Sequence, residues 1–162
     1  MQQYIKLFKS FTYAFNGIFT TIKNERNLRI HLTCLIYMFS ILGFTDWFTL
    51  SRAEWALLVI ASGNVISCEI INTAIENAVN LASDEYTAFG KIAKDAAAGA
   101  VLVSALFAVA VGLIVMLQPQ AFVAMFNYFT SEPLMLLVLI ISIIPATLFI
   151  FMGNPFKRGN EK

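Results

Sequence analysis

Residues 69–80 read EIINTAIENAVN. Glu69, Asn72, Glu76 and Asn80 in this stretch are side chains able to take a proton, hold a cation or orient an anion. At about 100° per residue on a helix they point to about 0°, −60°, −20° and +20°, so all four share one stripe. Two further clusters place charge beside apolar segments. NERNLRIH (24–31) sets Glu25 and Arg29 at i,i+4, the spacing of an ordinary surface pair. KIAKDAAAGA (91–100) carries Lys91, Lys94 and Asp95 and then small residues that permit close helix–helix contact. Asp95 near a helix N-terminus also has a structural use, as a complement to the helix dipole.

Carboxylates from three segments, with lysines among them, suit a divalent cation and a polyphosphate. Magnesium takes one or two carboxylates together with substrate phosphates. A carboxylate can also act as general base toward a hydroxyl. The competing reading is structural: the stripe is the solvated polar end of a long helix, its carboxylates paired with Lys91, Lys94, Arg26 or Arg29. No GxxxxGK[ST] or GxGxxG loop accompanies it. The residues alone therefore lead to a polar, metal-capable site and stop short of a reaction. His31 reads as an interfacial hydrogen-bonding residue, not a ligand. Cys34 and Cys68 read as free, buried thiols, too few and too far apart for a zinc cluster.

The elements that must position these groups are membrane elements. The 162 residues are 59% hydrophobic and 13% charged, where a soluble domain has about 25% charged residues. Neither 96–131 nor 133–156 contains a charge, and such runs read as transmembrane helices. The net charge of +1 and the absence of a recognition motif exclude nucleic acid as an expected partner. The start, MQQYIKLFKS, lacks the apolar core and cleavage site of a signal peptide, so the N-terminus is expected to be retained.

The expected fold is an all-α integral membrane protein. Over about 4–23, Tyr4, Phe8, Phe11, Phe15, Ile18 and Ile22 fall within roughly 80° of arc, with lysines opposite, which predicts an amphipathic interfacial helix. The alternative is a helix packed on other protein. Spans are expected at about 30–45, 53–82 and 92–117, with 83–91 as a loop. The second span, at 1.5 Å per residue, is about 45 Å long against about 30 Å of hydrocarbon. Its polar end from Glu69 onward is the part that would protrude. Pro119 and FNYF mark a boundary, and Pro133 opens a fourth span at about 133–152, kinked by Pro145. Four spans place Lys6, Lys9, Lys23, Arg26, Arg29, Lys91, Lys94, Lys157, Arg158 and Lys162 on one side and only Arg52 on the other. That side is expected to be cytoplasmic.

The three clusters, EIINTAIENAVN (69–80), AKDAAAGAVL (93–102) and NERNLRIH (24–31), resemble the bacterial membrane diacylglycerol kinase/undecaprenol kinase family. The likeness covers roughly residues 5–117, and the ERNxRIH form is similar to the Gram-positive branch that uses undecaprenol. The resemblance implies a homotrimer in the plasma membrane that moves the γ-phosphate of MgATP to a lipid hydroxyl, with sites between subunits on the cytoplasmic face. It implies Glu69 as general base, with Asn72 holding Glu69 or the phosphate. It implies Glu25 and Glu76 as ligands of Mg2+, and Lys94 and Asp95 as nucleotide contacts. Glu85 and Tyr86 would close over the nucleotide, with Tyr13 and Lys6 helping from the surface helix. Residues 1–117 would be the kinase domain and 118–162 an extension.

The chain departs from the family in having Asn80 where an Asp is usual. Undecaprenol is the expected acceptor and diacylglycerol the alternative. A silent membrane scaffold, suggested by Asn80, and a small ion carrier using the stripe are the readings from other classes.

Overall fold

The computed structural model describes residues 2–82 and 87–152, and every secondary-structure element there is a helix. Six helices follow in order: α1 (Gln2–Asn24), α2 (Arg26–Phe44), α3 (Arg52–Ala82), α4 (Ala88–Met116), α5 (Pro119–Ser131) and α6 (Pro133–Phe151). Four of them, α2, α3, α4 and α6, are long and apolar enough to cross a membrane.

Glu25, with extended backbone, separates α1 from α2. The aromatic face of α1 is not covered within the chain; Phe8 is 79% exposed and Tyr4 74%. The face is therefore open to a membrane interface or to other protein. Ser51 and Glu54 form a capping box at the start of α3. Glu54 Oε2 accepts from Ser51 N at 2.7 Å, and Glu54 N donates to Ser51 Oγ at 3.3 Å. The third span begins earlier than the expected Ile92, because the Thr87 hydroxyl accepts from Gly90 N at 3.0 Å and caps α4 at Ala88. Pro133 stands in the first turn of α6, and α6 runs on through Pro145.

α5 was not anticipated. Pro119 opens it, and FNYF forms its last turns rather than a boundary. Tyr128 and Phe129 pack against Trp47 with ring centroids 5.2 and 5.7 Å away. Gln118 joins the two connections at this end. Its Oε1 accepts from Thr49 N at 3.2 Å, and its Nε2 donates to Thr49 O at 3.1 Å.

The buried core, Leu42, Phe48, Leu58, Val115 and Ala121, lies at this same end. It clamps the end of α2 to the starts of α3 and α5 and the end of α4. The opposite end gathers the start of α2, the end of α3, the start of α4 and the end of α6. His31 meets Glu69, Lys94 meets Asn80, and Arg29 meets Ile150 there. The basic residues at these helix ends therefore share one side; the tail lysines and arginine lie outside the described residues. The cysteines are free but not buried as expected: Cys34 is exposed on α2 and Cys68 is half-buried.

Candidate active site

The stripe forms because α3 continues unbroken past the apolar core of the span. Four successive turns then project Glu69, Asn72, Glu76 and Asn80 on one side. The i,i+4 neighbours Asn72 and Glu76 are joined, Asn72 Nδ2 donating to Glu76 Oε1 at 2.9 Å. α4 returns antiparallel alongside α3, and Lys94 Nζ donates to Asn80 Oδ1 at 2.7 Å. The amide thus still holds the lysine, although it lacks the charge of a carboxylate.

α2 and α3 also run antiparallel. Leu42 clusters with Leu58, and His31 faces Glu69, after equal steps along the two helices. His31 Nε2 lies 3.3 Å from Glu69 Oε1, within ion-pair reach but not aligned as a hydrogen bond. Glu69 is 3% exposed, and its Oε1 accepts no hydrogen bond; nor does the buried Oδ1 of Asn72. A buried acceptor left unmatched costs about 1–3 kcal/mol. Two such atoms one turn apart leave acceptor capacity open to a water, an ion or a bound group. Thr73 is also buried here, but its hydroxyl is spent on Glu69 O at 3.0 Å.

A cavity of about 430 Å³ lies between α2, α3 and α4. His31 stands at its polar end, and its walls are apolar, with Leu35, Leu58, Val65, Ala108 and Gly112 among them.

Of the remaining expected site residues, Glu25 is half-buried at the α1–α2 joint. Lys6, Tyr13 and Asp95 are exposed. Glu85 and Tyr86 lie outside the described residues. Among the described residues no group of three or more His, Cys, Asp or Glu side chains stands within reach of one metal ion. Arg29 is not the surface partner its spacing suggested, since it is 3% exposed. His31, read from sequence as an interfacial hydrogen-bonding residue, stands within ion-pair reach of the Glu69 carboxylate. Its only trace in the sequence is its place at the start of a span that must run antiparallel to α3.

Four candidate spans define a multi-pass helical membrane protein, with a polar stripe and buried acceptors without hydrogen bonds at one end as its candidate site. The family model for prokaryotic diacylglycerol kinase matches residues 12–116. The chain is 40% identical over 112 residues to the undecaprenol kinase of Bacillus subtilis, covering 69% of this chain and 89% of that one. It is 37% identical over 114 residues to a diacylglycerol kinase of Synechocystis, covering 70% of this chain and 63% of that one. A diacylglycerol kinase of Helicobacter pylori is 29% identical over 106 residues, 63% of this chain and 77% of that one. No solved structure matches the chain. The protein belongs to the prokaryotic diacylglycerol kinase family and is a lipid kinase. The matched region ends where α4 ends, so α5 and α6 lie beyond it.

Proposed function

We propose that the protein transfers the γ-phosphate of ATP to the hydroxyl of undecaprenol, giving undecaprenyl phosphate and ADP. The observation that carries this reading is the Oε1 of Glu69, buried and without a hydrogen bond beside His31, which itself lines an apolar cavity. A long lipid chain in the cavity would bring its terminal hydroxyl to that carboxylate. Glu69 takes the hydroxyl proton as the lipid oxygen bonds to the γ-phosphorus and the bond to the ADP oxygen breaks. His31 limits where the carboxylate can turn. Asn72, with its free Oδ1 and its bond to Glu76, orients the polar wall around the transferring group.

Magnesium fits this site as a shared guest and not as the occupant of a protein cage. It needs one or two carboxylates and takes its other ligands from phosphates and water. Glu76, one of whose oxygens is oriented by Asn72, and Glu25 at the α1–α2 joint would hold it. When bound, it neutralises charge on the phosphate oxygens. Lys94, placed by Asn80, and Asp95 contact the nucleotide, with Tyr13 and Lys6 reaching from α1. Lys6, Tyr13 and Asp95 are exposed in the single chain, open to a neighbouring subunit in the homotrimer that the family resemblance implies. The basic side of the protein, site included, faces the cytoplasm of a bacterial cell by the positive-inside rule. Residues 1–117 act as the kinase unit, with 118–162 as an extension.

The relatives named diacylglycerol kinase favour a second reading, in which diacylglycerol is the acceptor and phosphatidic acid the product. One experiment separates them. Labelled ATP and magnesium are supplied to detergent-purified protein with undecaprenol or diacylglycerol in separate mixed micelles. Transfer to undecaprenol, lost in Glu69→Gln, is the expected result. Preference for diacylglycerol keeps the mechanism and changes the acceptor. Retained activity in Glu69→Gln removes Glu69 as base.

A further inference from the structure

Arg29 is almost wholly buried, and a guanidinium away from water needs acceptors for its donors. Its Nε donates to Ile150 O at 3.1 Å. Its Nη1 donates to Ile22 O at 2.8 Å and to Lys23 O at 2.9 Å. All three acceptors are main-chain carbonyls in the last turns of helices, α1 ending at Asn24 and α6 at Phe151. The last four carbonyls of a helix lack partners of their own and carry the negative end of its dipole. One guanidinium therefore caps two helix C-termini and ties both to the first turn of α2.

α6 lies beyond the residues that the family model matches, and it buries no residue of its own. In a bilayer an apolar face gains little by leaving lipid for protein, so helix association depends on specific contacts. α6 makes two polar ones to α2: Arg29 with Ile150, and Tyr37 Oη with Ser142 Oγ at 2.8 Å. The two are equally spaced along both helices, as an antiparallel pair in fixed register requires. Around them the interface is loosely filled. A cavity of about 560 Å³ borders Tyr37, Tyr128, Ser142 and Phe149.

We infer that α6 is a strut that sets the position of the catalytic end of α2, with Arg29 as the positioning residue that couples it to the site. His31, two residues after Arg29, rests against Glu69, and Glu25 lies four residues before it. Rotation or tilt of this turn displaces both. The inference rests on the reading of Glu69 as the base.

The test uses the full-length protein. Ser142→Leu removes the Tyr37 bond, one of the two polar contacts from α6 to α2, without altering any site residue. Arg29→Lys keeps the charge but loses the planar fork that reaches two helix ends. Transfer kinetics are measured with separate kcat and KM values, and amide hydrogen exchange is followed over residues 26–32. Each variant is expected to lower kcat by about tenfold, the cost of a small misplacement at a reacting centre. KM for ATP stays within about twofold, and exchange over 26–32 becomes faster. The double variant loses little more than the worse single one, because both act through one contact. Wild-type kcat in Ser142→Leu overturns the proposal whatever exchange does. A lowered kcat with unchanged exchange also overturns it. Should Arg29→Lys fail to assemble, Ser142→Leu decides alone. An active Glu69→Gln would refute the base reading separately, leaving the exchange result to stand.

Discussion

His31 Nε2 and Glu69 Oε1 lie 3.3 Å apart, although 38 positions separate them in the chain. They meet because α2 and α3 are antiparallel, so the start of one span stands level with the polar end of the other. The pair joins an apolar cavity to the polar stripe. That is the arrangement a lipid kinase needs, since its acceptor comes from the bilayer and its donor from water.

His31 restrains the carboxylate proposed to act as base. Replacing it with Gln is expected to lower kcat by about tenfold, in line with the loss of one contact to a charged group. KM for ATP should hardly change. Wild-type kcat in His31→Gln would show that Glu69 needs no help from α2.

Glu76 is oriented by Asn72 and proposed to hold magnesium. Glu76→Gln keeps the amide contact possible but removes the charge that attracts the cation. The magnesium concentration for half-maximal activity is expected to rise by about tenfold or more, given the strength of charge-assisted ligation. An unchanged magnesium titration would count against this role.

Asn80 already accepts from Lys94. Asn80→Asp restores the family's usual charge at the same geometry, so kcat should stay within about threefold, the range for a partly exposed pair. Inactivity of the variant would show that this protein has rebuilt its site around the amide.

Gly112 lines the cavity, and a Cβ built there meets nothing within 4 Å. Leu also favours helix over Gly by up to about 1 kcal/mol, so Gly112→Leu should leave α4 intact while filling space in the cavity. KM for the lipid is expected to rise several-fold while KM for ATP is unchanged. Equal lipid KM values in variant and parent would move the acceptor chain elsewhere.

Periodicity along single helices was legible without a structure. The stripe from Glu69 to Asn80, the aromatic face of α1 and the opening of α6 at Pro133 depend only on residues a turn or two apart. The early start of α4 was less so. It turns on one Thr87 hydroxyl capping Gly90, and threonine also occurs freely in loops. α5 was hidden because its aromatic residues suit a membrane boundary as well as a helix, and Trp47, distant in sequence, decides between them.

The sequence by itself determined that the chain carries four segments long and apolar enough to cross a membrane, and that carboxylates, amides and lysines sit at their ends. Hydropathy and helical period are local properties, and each segment carries its own. Only the tertiary structure decided which groups meet: His31 with Glu69, and Arg29 with the ends of α1 and α6. Spans of nearly uniform hydropathy contain little information about which faces pair or in what register. In a bilayer that choice falls to a few polar contacts and close packings between segments far apart in the chain.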